Sequence, residues 1–324
     1  GMARFDGMLF TVFARRTAPD LPSNIVTCLL EDRSGRIWIG TNAGLAFFER
    51  GRIAPGATEL AGRVIREIIE DRDSSLIVGT TRGLFRVRNG VASPMDLPGS
   101  SSAWDVRALV RHSDGSLWVG TEQNGLVRWS GSALEHFGPG SGLGGVTINA
   151  LIQDGAGDLW VGMSGEGLRL LRDGRFLTVP LGSTQPSVSI YALYQVTSHG
   201  MWVGSSLGLF QVAARNDGFD VTALNVANGP QVWTVSALLF DRERSLWVGT
   251  LGRGLHHFAA GSFASRADLS RLDQTFVFCV FQDSRDRMWI GTNGDGVYIV
   301  NSERGIRHVS ARDGLPDNSV HTIF

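Results

Sequence analysis

One phrase, GRIWIGTNAGL from Gly35 to Leu45, recurs seven times and fixes most of what this chain can become. Its centre, Trp38-Ile39-Gly40-Thr41, returns as Ile77-Val78-Gly79-Thr80, Trp118-Val119-Gly120-Thr121, Trp160-Val161-Gly162-Met163, Trp202-Val203-Gly204-Ser205, Trp247-Val248-Gly249-Thr250 and Trp289-Ile290-Gly291-Thr292. Successive glycines lie 39, 41, 42, 42, 45 and 42 residues apart. A period of roughly 40 to 45 residues carrying several short strands per unit is the signature of a β-propeller, one four-stranded blade per repeat. The expectation is an all-β, seven-bladed propeller spanning 1–324, with blade cores near 21–54, 61–93, 103–137, 144–179, 187–221, 231–264 and 274–309.

Length alone would allow two or three domains in 324 residues. The repeat overrides that prior, because blades bury their faces on one another and cannot stand alone. With 43% hydrophobic and 19% charged residues the chain can build a large core. A formal charge of -1 argues against nucleic acid as a partner, since such binders carry a basic surface. All 30 basic residues are Arg, a compositional hint of a GC-rich bacterial genome. No signal peptide and no apolar run of roughly 18 residues is present.

Within blade 1 the innermost strand is expected over Ile25 to Glu31, the second over Arg36 to Thr41 and the third over Leu45 to Glu49, with an outer strand after Gly51. The near-continuous apolar run of the first suits a strand covered on both faces. The turn Asp32-Arg33-Ser34-Gly35 offers a side-chain acceptor and a residue free to adopt positive φ. Two glycines recur in every repeat: Gly40 and its equivalents, and Gly44, Gly83, Gly125, Gly167, Gly208, Gly254 and Gly296. Each calls for positive φ or for close backbone approach. Six of the nine tryptophans hold the centre of strand two, where a large ring fills the gap between blades. Blade 2 has Ile77 there and is expected to pack less well. Cys28 and Cys279 share one position in blades 1 and 7, where blades 3 to 6 carry Ala108, Ala150, Ala192 and Ala237. The position reads as small and buried, and a disulfide would need Cα atoms within roughly 7 Å, closer than inner strands of neighbouring blades run.

The opening Leu21-Pro22-Ser23-Asn24-Ile25-Val26 reappears as Leu315-Pro316-Asp317-Asn318-Ser319-Val320, so 315–324 reads as the start of a further, truncated repeat. Leu9 to Phe13 matches Ile306 to Val309 and reads as an N-terminal outer strand; either segment could complete the last blade and remove a free edge.

The opening LPSN-IV and GLPDNSV, the run LLEDRSGRIWIGTNAGL and their 42-residue beat resemble the two-component regulator propeller repeat family across the whole chain. Blade 5 departs most, with Val196 for the turn Asp, and blade 3 has His112 there. The resemblance implies the periplasmic sensor of a membrane-anchored bacterial regulator, a second propeller, an immunoglobulin-like module and a kinase or cyclase output being its expected partners. It also implies an oligosaccharide or other small molecule as signal. A homodimer is allowed by this reading; no cofactor and no metal is expected.

Positions that vary between blades are free to recognise a ligand. At the third residue of the innermost strand stand Thr27, Arg66, Arg107, Asn149, Tyr191, Ser236 and Phe278. In the loop before the third-strand glycine stand Ala43, Arg82, Asn124, Glu166, Leu207, Arg253 and Asp295, and blades 3, 4, 6 and 7 carry one extra residue there. Trp104 and Trp233 precede the inner strands of blades 3 and 6. Aromatic faces beside Arg, Asn and carboxylates suit a pyranose, with its apolar face and hydroxyl rim, so the ligand-binding candidates are Arg66, Arg107, Asn149, Tyr191, Arg82, Asn124, Glu166, Arg253, Asp295, Trp104 and Trp233.

Two other classes use the same fold. A propeller lyase would need a catalytic His or converging metal ligands at the channel, but the seven histidines fall on turns (His112, His199), the third strand (His256, His257), outer strands (His136, His308) and the further repeat (His321). No phosphate loop, nucleophile elbow or zinc spacing occurs. A docking scaffold for a second propeller or a periplasmic protein would show an exposed apolar patch, for which Pro94, Met95, Leu97 and Pro98 are the candidates.

Overall fold

Each repeat folds into one antiparallel sheet whose strands follow chain order from the inside outward. In blade 1 these are Val26–Glu31, Ile37–Thr41, Gly44–Glu49 and Arg52–Ala57. The computed structural model describes residues 2–5, 10–95, 97, 104–182, 187–197, 200–224, 233–258, 269, 272–301 and 305–323. Six blades show four strands; the sixth blade shows Val235–Phe240, Leu246–Thr250 and Leu255–Phe258, with its outer part at 259–268 outside the described residues. Innermost strands of successive blades run side by side from blade 1 to blade 7, giving a seven-bladed β-propeller.

The two repeated glycines answer two different needs. A Cβ on Gly40 would lie 2.4 Å from Cys28 Sγ and 2.9 Å from Ile65 Cγ2, and Ile65 opens the inner strand of the next blade. The same approach joins Gly79 to Val106, Gly120 to Ile148, Gly162 to Ile190, Gly204 to Val235 and Gly249 to Val277. Close packing, not positive φ, therefore selects this glycine. The third-strand glycines do have positive φ, from 72° at Gly125 to 142° at Gly44. Their N–H groups reach the next blade: Gly83 donates to Trp104 O, Gly125 to Val146 O, Gly167 to Val188 O and Gly254 to Thr275 O.

Strand-two tryptophans are buried and most are anchored by the turn aspartate. Asp32, Asp154, Asp241 and Asp283 each accept from an indole N–H, that of Trp38, Trp160, Trp247 and Trp289, at 2.8 to 2.9 Å. Their other carboxylate oxygen accepts turn N–H groups, as Asp154 does from Ala156 and Asp158. Where His112 replaces the aspartate, Trp118 Nε1 is buried without a partner. The expectation of poor packing in blade 2 does not hold: Ile77 is fully buried, and the guanidinium groups of Arg86 and Arg111 donate to Asp71 Oδ2 at 2.9 and 2.6 Å in the indole's stead.

Cys28 and Cys279 are free, and burial pushes both thiols up to about 12. Gly291 packs on Val320 and Gly296 N–H donates to Asn318 O, so blade 7 hands over to the 315–320 segment. The outer strand of blade 7 is Gly305–Val309, paired with Val297–Asn301. Phe10–Phe13 pairs instead with Met2–Phe5 in a separate two-stranded sheet, and Leu9 lies outside the described residues. Phe13 packs edge-on against Phe48 of blade 1 at 5.4 Å.

Two substitutions test these contacts. Gly162→Ala places a methyl 2.7 Å from Ile190 Cγ2 and is expected to lower stability by about 1–3 kcal/mol in urea unfolding. Asp154→Ala strips the buried indole of its acceptor and is expected to cost a similar amount, about 1–3 kcal/mol, in the same measurement.

Candidate functional site

The innermost strand of every blade carries a β-bulge at the position picked out by its variability. In blade 1 Val26 pairs with Thr41 and Cys28 with Gly40, leaving Thr27 as the extra residue. The same shift isolates Arg66, Arg107, Asn149, Tyr191, Ser236 and Phe278. A bulged residue drops out of the ladder and its side chain is re-aimed, which is why bulges gather beside functional sites.

Small polar side chains at this position serve the scaffold. Thr27 Oγ1 donates to Ile65 O at 2.6 Å, Asn149 Nδ2 to Ile190 O at 3.1 Å and Ser236 Oγ to Val277 O at 2.6 Å, each stitching one blade to the next. Phe278 stacks on His321 of the 315–323 segment at 4.6 Å. The longer side chains stay outward. Tyr191 is 41% exposed. Arg66 pairs through two nitrogens with Asp105, both at 3.2 Å, and Arg107 pairs with Glu122. Burial and the neighbouring Arg66 hold Arg107 below the usual guanidinium range, while Asp105 opposes them. Blades 2 and 3 thus present one run of alternating charge, Arg66, Asp105, Arg107 and Glu122, at the mouth where inner strands begin.

The second set is more dispersed. Arg82, Asn124, Glu166 and Arg253 are exposed at their loop tips. Burial holds Arg169 below the usual guanidinium range while neighbouring Glu166 opposes that shift, and the Arg253 carbonyl lies 3.1 Å from His256 Nε2. Asp295 turns away from the channel, accepting from Tyr298 Oη and standing 3.6 Å from His308 Nε2. Trp104 and Trp233 are corrected outright as sugar platforms, because both are buried. Trp104 meets His136 edge-on at 5.6 Å, and Trp233 meets His256 at 4.5 Å. Their rings sit at the entry of their own blades' inner strands and pack against the blade before, Trp104 with Ile77 and Leu84 of blade 2 and Trp233 beside Gly208 of blade 5, instead of facing solvent. Of the candidate apolar docking patch, Leu97 is buried and Met95 packs on the cluster between blades 2 and 3, whereas Pro94 is exposed and Pro98 lies outside the described residues.

Sequence reasoning missed Asp105 and Glu122 as partners, and it missed Glu67. Glu67 fills the position that is Cys or Ala in the other blades, and that mismatch was the available signal. Its Oε2 accepts from Leu109 N–H at 2.7 Å, across to the inner strand of blade 3. Burial pushes this carboxyl up to about 7, a shift that the Leu109 bond only partly offsets. Among the described residues no cluster of three or more His, Cys, Asp or Glu could hold a metal ion.

Two segments, 20–43 and 271–294, match the family model described as two component regulator propeller. The fold is shared with an extracellular domain of the BT4673 system of B. thetaiotaomicron, in two solved structures. One is described as a one component system (21% identity, TM-score 0.63, covering 87% of this chain and 38% of that one). The other is described as a hybrid two component system (20% identity, TM-score 0.65, covering 88% and 45%). A virginiamycin B lyase from Staphylococcus aureus has the same architecture at 12% identity and TM-score 0.59, covering 82% of this chain and 91% of that one. At these identities the likeness is one of fold, and this chain spans less than half of either extracellular domain. No curated protein matches it. Among the described residues no helix is long and apolar enough to cross a membrane.

Glu67 sets a pH dependence whose sign follows from its shift. Its ordinary value is 4.5 and its folded value about 7, so between these the folded state holds the proton that the unfolded state has lost. Stability should be full below pH 4.5 and decline as pH rises through 7. Thermal unfolding across that window should show the decline in the native sequence and a flatter profile in Glu67→Gln.

Proposed function

We propose that this propeller is the ligand-sensing part of a bacterial two-component-type signalling protein, held outside the cytoplasm and without catalysis of its own. The observation that carries the reading is the pairing of family-specific repeats with a bulged residue in each inner strand, which sets Arg66, Arg107 and Tyr191 at equivalent places round one mouth. Paired guanidinium and carboxylate groups on blades 2 and 3, with an exposed phenol on blade 5, suit an oligosaccharide, whose hydroxyls exchange with such ion pairs and whose ring face rests on an aromatic. Output would follow only if the ligand favours one arrangement of the receptor over another. The sensor domains of similar fold support the location and the role.

A thermal-shift panel of neutral and acidic oligosaccharides tests this, since a ligand at a hundred times its Kd stabilises a fold by about 2.7 kcal/mol. We expect one class to raise Tm, and Arg107→Ala and Tyr191→Ala each to abolish the rise while leaving the unliganded Tm nearly unchanged. A rise that survives both substitutions would move the site elsewhere, and a blank panel would overturn the oligosaccharide reading.

A further inference from the structure

At the end of the inner strands far from the channel mouth, blades 2 and 3 enclose a cleft of about 300 Å³. Four arginines line it, Arg72, Arg86, Arg88 and Arg111, against two aspartates, Asp71 and Asp73. Asp71, Arg72 and Asp73 lie in the turn that follows Ile65–Glu70; Arg86 and Arg88 stand on Gly83–Arg88, and Arg111 ends Val106–Arg111 of blade 3. The cleft goes with the missing indole of blade 2. Arg86 is paired opposite Ile77 on the neighbouring strand, and Arg86 and Arg111 meet the aspartate that elsewhere holds a tryptophan. No other repeat has Arg at both the Arg86 and the Arg88 position. The position of Arg111 is held in the other blades by Glu31, Glu70, Gln153, Gln195, Phe240 and Gln282.

Four guanidinium groups against two carboxylates leave two positive charges over, in a chain whose formal charge is -1. Both carboxylates are already shared: Asp71 accepts from Arg86 and Arg111, and Asp73 pairs with Arg88 and stands 3.5 Å from Arg86. The nearby carboxylates face other arginines, Glu70 with Arg33 and both Asp114 and Glu135 with Arg128. Arg86 and Arg111 keep only 18% and 16% of their side-chain surface, so their charges interact through a poorer dielectric than water. Arg111 Nε is buried without a hydrogen-bond partner among the described residues. Arg72 is tied across the junction, its Nη2 donating to Ser113 O at 2.7 Å. The positive groups are thus fixed by the fold, and their charge is not matched by it.

We propose that this cleft binds a doubly charged tetrahedral oxyanion, the phosphate group of a small phosphomonoester or inorganic phosphate itself. A phosphate group carries about -1.5 to -2 charges near pH 7, which matches the surplus. Guanidinium groups present planar pairs of N–H donors that fit two phosphate oxygens at once. Asp71 holds Arg86 and Arg111 from one oxygen, so both are in position before the anion arrives and little ordering is left to be done on binding. Arg88, 61% exposed, stands at the rim. The volume is at the lower bound of small-molecule sites, roughly 300 Å³, and exceeds the need of one phosphate. Half-buried Trp129 lines the remaining wall, where the carrier of the phosphate has room. This site is separate from the mouth at Arg66, Arg107 and Tyr191 and does not rest on the oligosaccharide reading.

Calorimetric titration of the chain with inorganic phosphate and with glucose 6-phosphate tests the proposal, with glucose and with sodium chloride at matched ionic strength as controls. Both phosphate probes should bind at one per chain and both controls should give no binding. Arg111→Gln installs the residue that Gln153 and Gln282 place there in other blades and leaves Asp71 with Arg86; Arg88→Ser alters an exposed side chain where blade 3 has Ser130. Each should weaken binding about tenfold or more with the fold intact by unliganded Tm, and Arg107→Ala at the mouth should leave it unchanged. Tighter binding of glucose 6-phosphate than of phosphate, lost in Trp129→Ala, assigns the carrier to the Trp129 wall; equal binding assigns the site to the oxyanion alone. Absence of binding by both phosphate probes, displacement of phosphate by chloride at equal concentration, or affinity unchanged in both Arg111→Gln and Arg88→Ser would overturn the proposal.

Discussion

The ring rests on a contact that leaves no room for a Cβ: the second-strand glycine of one blade pressed against the β-branched residue that opens the inner strand of the next. It occurs at six consecutive blade junctions, with Ile or Val as the partner each time, and again between Gly291 and Val320. A branched side chain is stiff about χ1, so it presents a fixed surface to the facing backbone. Interiors packed to this density transmit displacement, and the spacing of neighbouring blades is therefore set within a narrow range. The tryptophans, the turn aspartates and the third-strand glycines then fill and lock a geometry that this approach defines.

The same strand builds scaffold and candidate site. The bulge after its first residue leaves one residue out of the ladder between the glycine contact at one end and the turn at the other. That surplus residue faces the next blade and the channel mouth. Where it is short and polar, as at Thr27, Asn149 and Ser236, it is used to stitch blades together. Where it is long, as at Arg66, Arg107 and Tyr191, it overshoots the neighbouring carbonyl and is available to solvent or to a ligand. Variability at this position thus marks two kinds of residue, and side-chain reach separates them.

Position in the repeat alone does not say how a side chain is spent. Ile77 looked like a defect in blade 2, yet the space an indole would take is used by Arg86 and Arg111 on the same aspartate oxygen, from strands that a one-repeat alignment does not bring together. Trp104 and Trp233 looked like platforms because they lie outside the repeat core, but residues entering an inner strand are covered by the loop of the blade before. Glu67 passes unnoticed among small residues, and only the N–H of Leu109, 42 positions away, explains its tolerance.

From the sequence come the number of blades, the order of their strands, the two glycines and the turn that anchors the tryptophan, because all of these follow from short-range patterns repeated in register. The tertiary structure decided the rest: which glycine serves packing and which serves φ, which channel residues are already engaged, and how the chain behaves at its seam. The seam shows the reason most directly. Leu21 to Val26 and Leu315 to Val320 are near copies, and either could have met Gly291. In the structure Gly291 meets Val320, while Met2 and Phe13 pack on the cluster that holds Val26, a pairing of residues about 300 positions apart that no local pattern encodes.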